Sequence, residues 1–204
     1  MKLANGCLAG VVAMGLAAPA IAQQAAATLA TAYTDISRKL CDSDHKPGAR
    51  LGPDEMVSFS CKGVAGLRID VAYAGTSLRV TLRDGGDSNA QPQLGASHDI
   101  GDRIEWRGHH GVRGFAPEAA ILRLTSYDDD APARRLGSVL AVLRIAGKSI
   151  CPAAFIDVAG TPQPNEVARR IADEAAASFQ CGVDHPRVIG PETTLVKEAR
   201  ARSG

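Results

Sequence analysis

Aromatic residues make up only 4% of this chain, and Trp106 is its single tryptophan. An excess of charge of either sign is also missing, since 23 Lys and Arg stand against 22 Asp and Glu. A formal charge near zero argues against nucleic acid or an anionic membrane as a bulk partner. Beyond residue 22, no apolar run reaches the roughly 18 residues that a spanning helix needs. No C-x-x-C, H-x-H or H-E-x-x-H occurs, so the common zinc and copper spacings are absent. The G-x-S-x-G elbow of a serine hydrolase is absent too. No internal repeat is visible.

What is present begins with the N-terminus, MKLANGCLAGVVAMGLAAPAIAQQ. Lys2 supplies a positive start, Leu8 to Leu16 an apolar stretch, and Ala20-Ile21-Ala22 an A-x-A cleavage site. Together they read as a Sec-type secretory signal peptide over residues 1–22. Cys7 precedes the apolar stretch and leaves with the signal. Cleavage leaves about 180 residues, enough for one domain with its own core. Four cysteines remain, Cys41, Cys61, Cys151 and Cys181. An even number in an exported chain implies disulfides, and hence a periplasmic or secreted location. Of the three possible connectivities, Cys41–Cys61 and Cys151–Cys181 each enclose a compact local unit and are preferred.

Hydrophobic periodicity divides the rest. Residues 23–32 are Ala-rich and polar and read as a flexible leader. Tyr33 to Cys41 fits either a helical turn or a first strand. Asp42 to Pro53 is turn chemistry. Met56–Lys62, Leu67–Tyr73 and Leu78–Leu82 alternate with period two, the pattern of half-buried antiparallel strands. Asp84 to Asp99 has no periodicity and reads as a surface loop. Arg103–Arg107 and Ala119–Ser126 are further strands, separated by a glycine-rich loop, Gly108 to Pro117. Val139–Ile145 and Ile150–Val158 flank a short hairpin turn. The first of these two is almost continuously apolar, as a central strand covered on both faces should be. Pro152 marks an edge or a bulge in the second.

A helix follows, opening at Thr161-Pro162 or capped by Asn165. Val167, Ile171, Ala175 and Phe179 recur at helical spacing, with Arg169, Arg170, Asp173 and Glu174 on the other face. Gly182 stands where a C-terminal glycine cap belongs. Residues 190–204 are polar and expected to be disordered. The fold class is therefore α+β: one domain over residues 33–189, an antiparallel sheet of six to seven strands, one C-terminal helix packed on it, and two disulfides.

Candidate sites are few. His109 and His110, with His98 and Asp99 upstream, form the densest imidazole cluster. Adjacent histidines on a strand point to opposite sides, so a solvated loop competes with a metal site. Asp128-Asp129-Asp130 lacks the alternating ligands of a calcium loop and reads as an acidic turn. Asp157, Asp184 and His185 could meet in space, but no motif brings them together. Trp106 and Arg107, next to His109 and His110, are the best binding candidates, because Trp and Arg dominate interface hot spots. The competing reading places Trp106 in the core, on the same face as Ile104.

Several short motifs stand in order along the chain: Tyr33-Thr34-Asp35 before Cys41, Phe59-x-Cys61-x-Gly63, Leu78-Arg79-Val80, Ile104-Glu105-Trp106-Arg107, Ala120-Ile121-Leu122-Arg123, Cys151-x-x-Ala154-x-x-Asp157, and Phe179-x-Cys181-Gly182-x-Asp184-x-Pro186. In these the chain resembles a group of short, uncharacterised exported (periplasmic) proteins of alphaproteobacteria with no established activity. The resemblance implies the same domain limits and cysteine pairing and no catalytic residue. The expected function is a non-enzymatic domain that binds an envelope protein or a small ligand, with no cofactor and no nucleic-acid partner. The alternative is a hydrolase or metal-dependent enzyme using the His98–His110 loop or Asp184 and His185.

Overall fold

The structure, a computed structural model, describes residues 29–43, 57–74, 77–83, 93–94, 98–128, 130–131 and 133–201. The expected signal peptide, its cleavage site and most of the Asp84–Asp99 stretch lie outside these residues. In chain order the strands are β1 (Ala30–Asp35), β2 (Asp42–Ser43), β3 (Val57–Lys62), β4 (Arg68–Ala74), β5 (Ser77–Arg83), β6 (Gln93–Leu94), β7 (His98–Ile100), β8 (Arg103–Gly111), β9 (Gly114–Tyr127), β10 (Arg135–Ala146), β11 (Ser149–Asp157) and β12 (Arg187–Ile189). Helix α1 (Pro164–Ser178) lies between β11 and β12, and α2 (Thr194–Ala201) ends the described chain. No helix among the described residues is long and apolar enough to cross a membrane.

The fold is α+β, with a seven-stranded sheet, a helix laid on one face and two disulfides, as the periodicity implies. The strands divide between two sheets, however. The larger runs β1-β8-β9-β10-β11-β12, with β7 also paired to β9, and the smaller runs β2-β3-β4-β5-β6. The three alternating runs around Phe59, Ile69 and Val80 thus belong to the smaller sheet. Period two reveals that a strand has a buried face; it does not reveal which sheet the strand joins. All pairings are antiparallel except β11–β12.

Alternation along β9 and β10 sorts the core into two sides. Ala120, Leu122 and Leu124 of β9 and Val139, Ala141, Leu143 and Ile145 of β10 pack against Phe59, Ile69, Val71, Val80 and Leu82 of the smaller sheet. Ala119, Ile121, Leu140 and Val142 pack against Ala168, Ile171, Ala172 and Ala175 of α1. The molecule therefore has three layers: helix, seven-stranded sheet, five-stranded sheet. Strand β10 is buried on both faces, which accounts for its nearly unbroken apolar run. Pro152 sits beside a register shift opposite Val142 and Leu143, beyond the Ala154–Ile156 stretch where β12 pairs. Its missing N–H is therefore asked for nothing.

Four boundaries differ from the sequence reading. The sheet begins at Ala30, inside the expected leader, because β1 pairs with β8 along its whole length. The expected loop Gly108 to Pro117 is the end of the β8–β9 hairpin. There Gly108 lies so close to the opposite strand that an added Cβ would sit inside the Ala116 carbonyl, so the glycine is needed for the strands to approach. The end expected to be disordered holds α2, which follows β12 and buries Val196 and Ala199 against the core. Leu195, Val196 and Ala199 of α2 span little more than one turn, too short a pattern to stand out before their partner surface is known.

Helix α1 starts at Pro164, after the expected Thr161-Pro162 opening. Proline suits the first helical position, where no N–H is required. The residues before it are held elsewhere. Asp157 accepts a hydrogen bond from the Gly160 N–H at 2.6 Å and one from the Thr193 hydroxyl at 3.3 Å. Gly190, at φ +84°, passes so close to Thr161 that a Cβ would lie 2.6 Å from its hydroxyl. Asp157 thus stitches the segment entering α1 to the segment leaving β12.

Both expected disulfides form. Cys41–Cys61 (Cα–Cα 4.5 Å) continues the β2–β3 pairing by one position and so holds the edge of the smaller sheet. Cys151–Cys181 (Cα–Cα 5.7 Å) ties β11 to the turn after α1. They close loops of 20 and 30 residues, each stabilising by about 3 to 4 kcal/mol in the loop-entropy account. Replacing Cys151 and Cys181 together by Ser is expected to cost about 2–5 kcal/mol, read from urea denaturation. A midpoint that moves neither in this variant nor in reductant would refute the pairing as a staple.

Candidate functional site

The residues singled out in the sequence do not share a site. Trp106 is fully buried among the β8 and smaller-sheet side chains, and its indole N–H donates to the Thr34 hydroxyl at 2.9 Å. It is a core residue, as alternation with Ile104 allows, and not an exposed binding aromatic. Arg107 points to the opposite face and is also buried. Its Nε and Nη2 donate to the two Asp173 carboxylate oxygens of α1 at 2.8 and 2.7 Å, and its Nη1 donates to the Thr31 hydroxyl. That bidentate pair occupies the guanidinium, so Arg107 seats the helix.

His109 and His110 are exposed near the tip of the β8–β9 hairpin. His109 Nε2 lies 3.4 Å from Glu118, and the His110 ring meets the edge of Phe115. His98 lies on β7, opposite Ser126. Among the described residues, no three His, Cys, Asp or Glu gather as a metal would require. Asp128 accepts the Asp130 N–H and pairs with Arg134, closing the acidic turn on itself. Asp184 accepts the Gln180 N–H at 2.7 Å and closes the turn after α1, with His185 exposed beside it. No hydrogen bond or ion pair among the described residues joins this pair to either hairpin histidine.

A different group of residues forms a cleft, about 210 Å³ in volume, where α1 begins over the seven-stranded sheet. Its floor follows the sheet register. Tyr33 of β1, Glu105 of β8 and Ile121 of β9 stand in one row. Two residues along on the same face come Arg103 of β8 and Arg123 of β9, the latter directly opposite Leu140 of β10. Asn165 and Arg169 of α1 form the wall.

The charges in this cleft are unequally matched. Arg169 holds the Glu105 carboxylate with two hydrogen bonds, at 2.6 and 3.1 Å, which raise its already high proton affinity. Arg103 lies over the Tyr33 ring, 5.5 Å from its centroid, a cation–π contact. Arg123 donates to the Asn165 side-chain oxygen at 3.0 Å. Among the described residues no carboxylate pairs with it. Partial burial lowers its proton affinity, and the like charge of Arg135 lowers it further. Arg135 itself is bonded to the Ser138 hydroxyl, which in turn meets Thr125. In the cleft, therefore, Arg123 alone lacks a carboxylate partner among the described residues, while Arg169 is paired with Glu105 and Arg103 faces Asp35 across the β1–β8 pairing.

These residues were visible but unmarked in the sequence. In AAILRLTS, Arg123 has the same parity as Ala119, Ile121 and Thr125, so it faces α1. A charge at an inward-facing position was the available signal. Arg169 and Asp173 lie on the face of α1 expected to meet solvent, yet both reach back to Glu105 and Arg107 of β8. Long side chains at the border of a helix face can do this, and periodicity alone assigns them outward. No protein-family model, curated protein or solved structure matches the chain.

Two substitutions separate structural from surface roles here. Asp173→Ala strands the buried Arg107 guanidinium and is expected to cost about 3 kcal/mol, the low end for a broken buried pair because Asp173 is itself partly exposed. His109→Ala with His110→Ala is expected to stay within about 0.5 kcal/mol of the parent, as exposed positions do. Urea denaturation of the two variants side by side checks both values; a histidine variant as damaged as the Asp173 variant would contradict this assignment.

Proposed function

We propose that this chain is an exported, non-enzymatic binding domain whose ligand is anionic and occupies the cleft at the start of α1. Export is supported by the N-terminal signal pattern and by two disulfides, which persist in oxidising compartments. The periplasm or the extracellular space is the compartment this reading assigns. The partner is then an anionic small molecule or an acidic group on an envelope component.

One observation carries the reading: Arg123 is partly buried beside Arg135 and lacks a carboxylate partner among the described residues. Burying a charge without a counter-ion costs free energy, and a fold retains such an arrangement at some expense. An anion on Arg123 offsets that cost with charge-assisted hydrogen bonds, each contributing about 1.5–3 kcal/mol. Arg103 lines the same cleft, where Glu105 and Arg169 neutralise each other. No comparable convergence favours hydrolysis or metal-dependent chemistry at His109, His110, Asp184 or His185.

Arg123→Gln tests the proposal with little risk to folding. Glutamine can still donate to Asn165, and the substitution removes the repulsion from Arg135. The variant is expected to be as stable as the parent or slightly more so, a common trade between stability and binding. Its affinity for inorganic phosphate or acetate, measured by NMR titration, is expected to fall by about tenfold or more. Equal affinity in parent and variant would remove Arg123 from the site. No binding of either anion by the parent would overturn the proposal.

A further inference from the structure

We infer that the anion is a tetrahedral oxyanion, a phosphate or sulfate group, held jointly by Arg123 and Arg135. The inference rests on the anion-binding reading above and names the chemical class of its ligand. Along the β9–β10 ladder Arg123 stands opposite Leu140, Thr125 opposite Ser138, and Tyr127 opposite Arg135. Plain alternation back from Ser138 would send Arg135 to the other face of the sheet. The register shift between Arg135 and Gly137 leaves Leu136 without a cross-strand partner. That extra residue returns Arg135 to the face shared by Tyr127, Thr125 and Arg123. Re-aiming a side chain beside a functional site is a recurrent use of a bulge. Here it brings a second cation near enough to Arg123 to depress its proton affinity, so the two guanidinium groups approach against their own repulsion.

Neutral oxygens hold both groups in place. Arg123 donates from Nη2 to Asn165 at 3.0 Å, and Arg135 donates from Nη2 to the Ser138 hydroxyl, itself fixed by Thr125. Among the described residues no carboxylate pairs with either. Asp128 is taken by Arg134, Asp99 of β7 accepts from the Tyr73 hydroxyl, and Glu105 is held by Arg169 on the side of Arg123 away from Arg135. Each guanidinium therefore keeps N–H groups for an outside acceptor. A carboxylate presents its oxygens in one plane and suits a single guanidinium fork. A phosphate or sulfate group directs oxygens toward both forks at once and brings the second negative charge that two arginines match. Arg135 is exposed, so the anion enters from the open side of this face.

The full chain, with its signal removed, is titrated with acetate, inorganic phosphate and sulfate, followed by NMR. At least one of phosphate and sulfate is expected to bind about tenfold tighter than acetate, the effect of an added charge-assisted contact. The tighter of the two identifies the group. Arg135→Gln keeps a donor for Ser138 and changes an exposed position, so the fold is retained, which a thermal melt verifies. This variant is expected to lose the tenfold preference and to bind acetate as the parent does. If acetate binds the parent as tightly as both tetrahedral anions, or if Arg135→Gln retains the preference, the inference fails and the anion-binding reading on Arg123 stands. If none of the three binds the parent, both fall together.

Discussion

The seven-stranded sheet has two apolar faces, and the rest of the structure follows from the need to cover both. Its centre, β9 and β10, carries hydrophobic side chains of both parities, so neither face can be left to water. The five-stranded sheet covers one side. Helix α1 covers the other with a stripe of Ala168, Ile171, Ala172 and Ala175, whose small side chains let the helix lie close to the strands. Chain segments that look unpromising, such as β1, β12 and α2, are ordered because they complete an edge or a corner of this arrangement.

Position along the sheet is decided by charge. Glu105 and Arg107, two apart on β8, face Arg169 and Asp173, four apart on α1. The two pairs have opposite polarity, so reversing the helix would set like charges against each other. Such pairs contribute more to specificity than to net stability once desolvation is counted. They also place the first turn of α1 where Asp157, Gly160 and Gly190 deliver the chain. Because α1 begins only at Pro164, it leaves part of the sheet face beneath its N-terminus uncovered. That part holds the cleft, where Arg103, Glu105 and Arg123 are the charged residues of the sheet face.

Much of the architecture was legible along the chain. The strict alternation of Leu67 to Tyr73, the apolar run of Val139 to Leu143 and the helical stripe through Ile171 each announced an element correctly, because those patterns report burial directly. Both disulfides were legible from the compactness of the loops they close. The site was not. Trp106, Arg107, His109 and His110 drew attention by residue type, but a strand sends neighbours to opposite faces, so the four divide between the core, an ion pair and a solvent-exposed hairpin tip. Arg103, Arg123 and Arg169 lie far apart in sequence, and each alone resembles an ordinary surface charge.

The amino-acid sequence by itself determined which segments bury a face, the local pairing of Cys41 with Cys61 and of Cys151 with Cys181, and the absence of a local catalytic motif, because these depend on spacing along the chain or on composition. Tertiary structure alone decided that the strands form two sheets, that Ala30–Asp35 and Thr194–Ala201 are ordered, and that Tyr33, Arg103, Arg123 and Arg169 line one cleft. Those outcomes depend on contacts between residues remote in the chain. Whether a charge is paired or left without a partner is a property of its neighbours in space, and for Arg123 they come from another strand and from the helix.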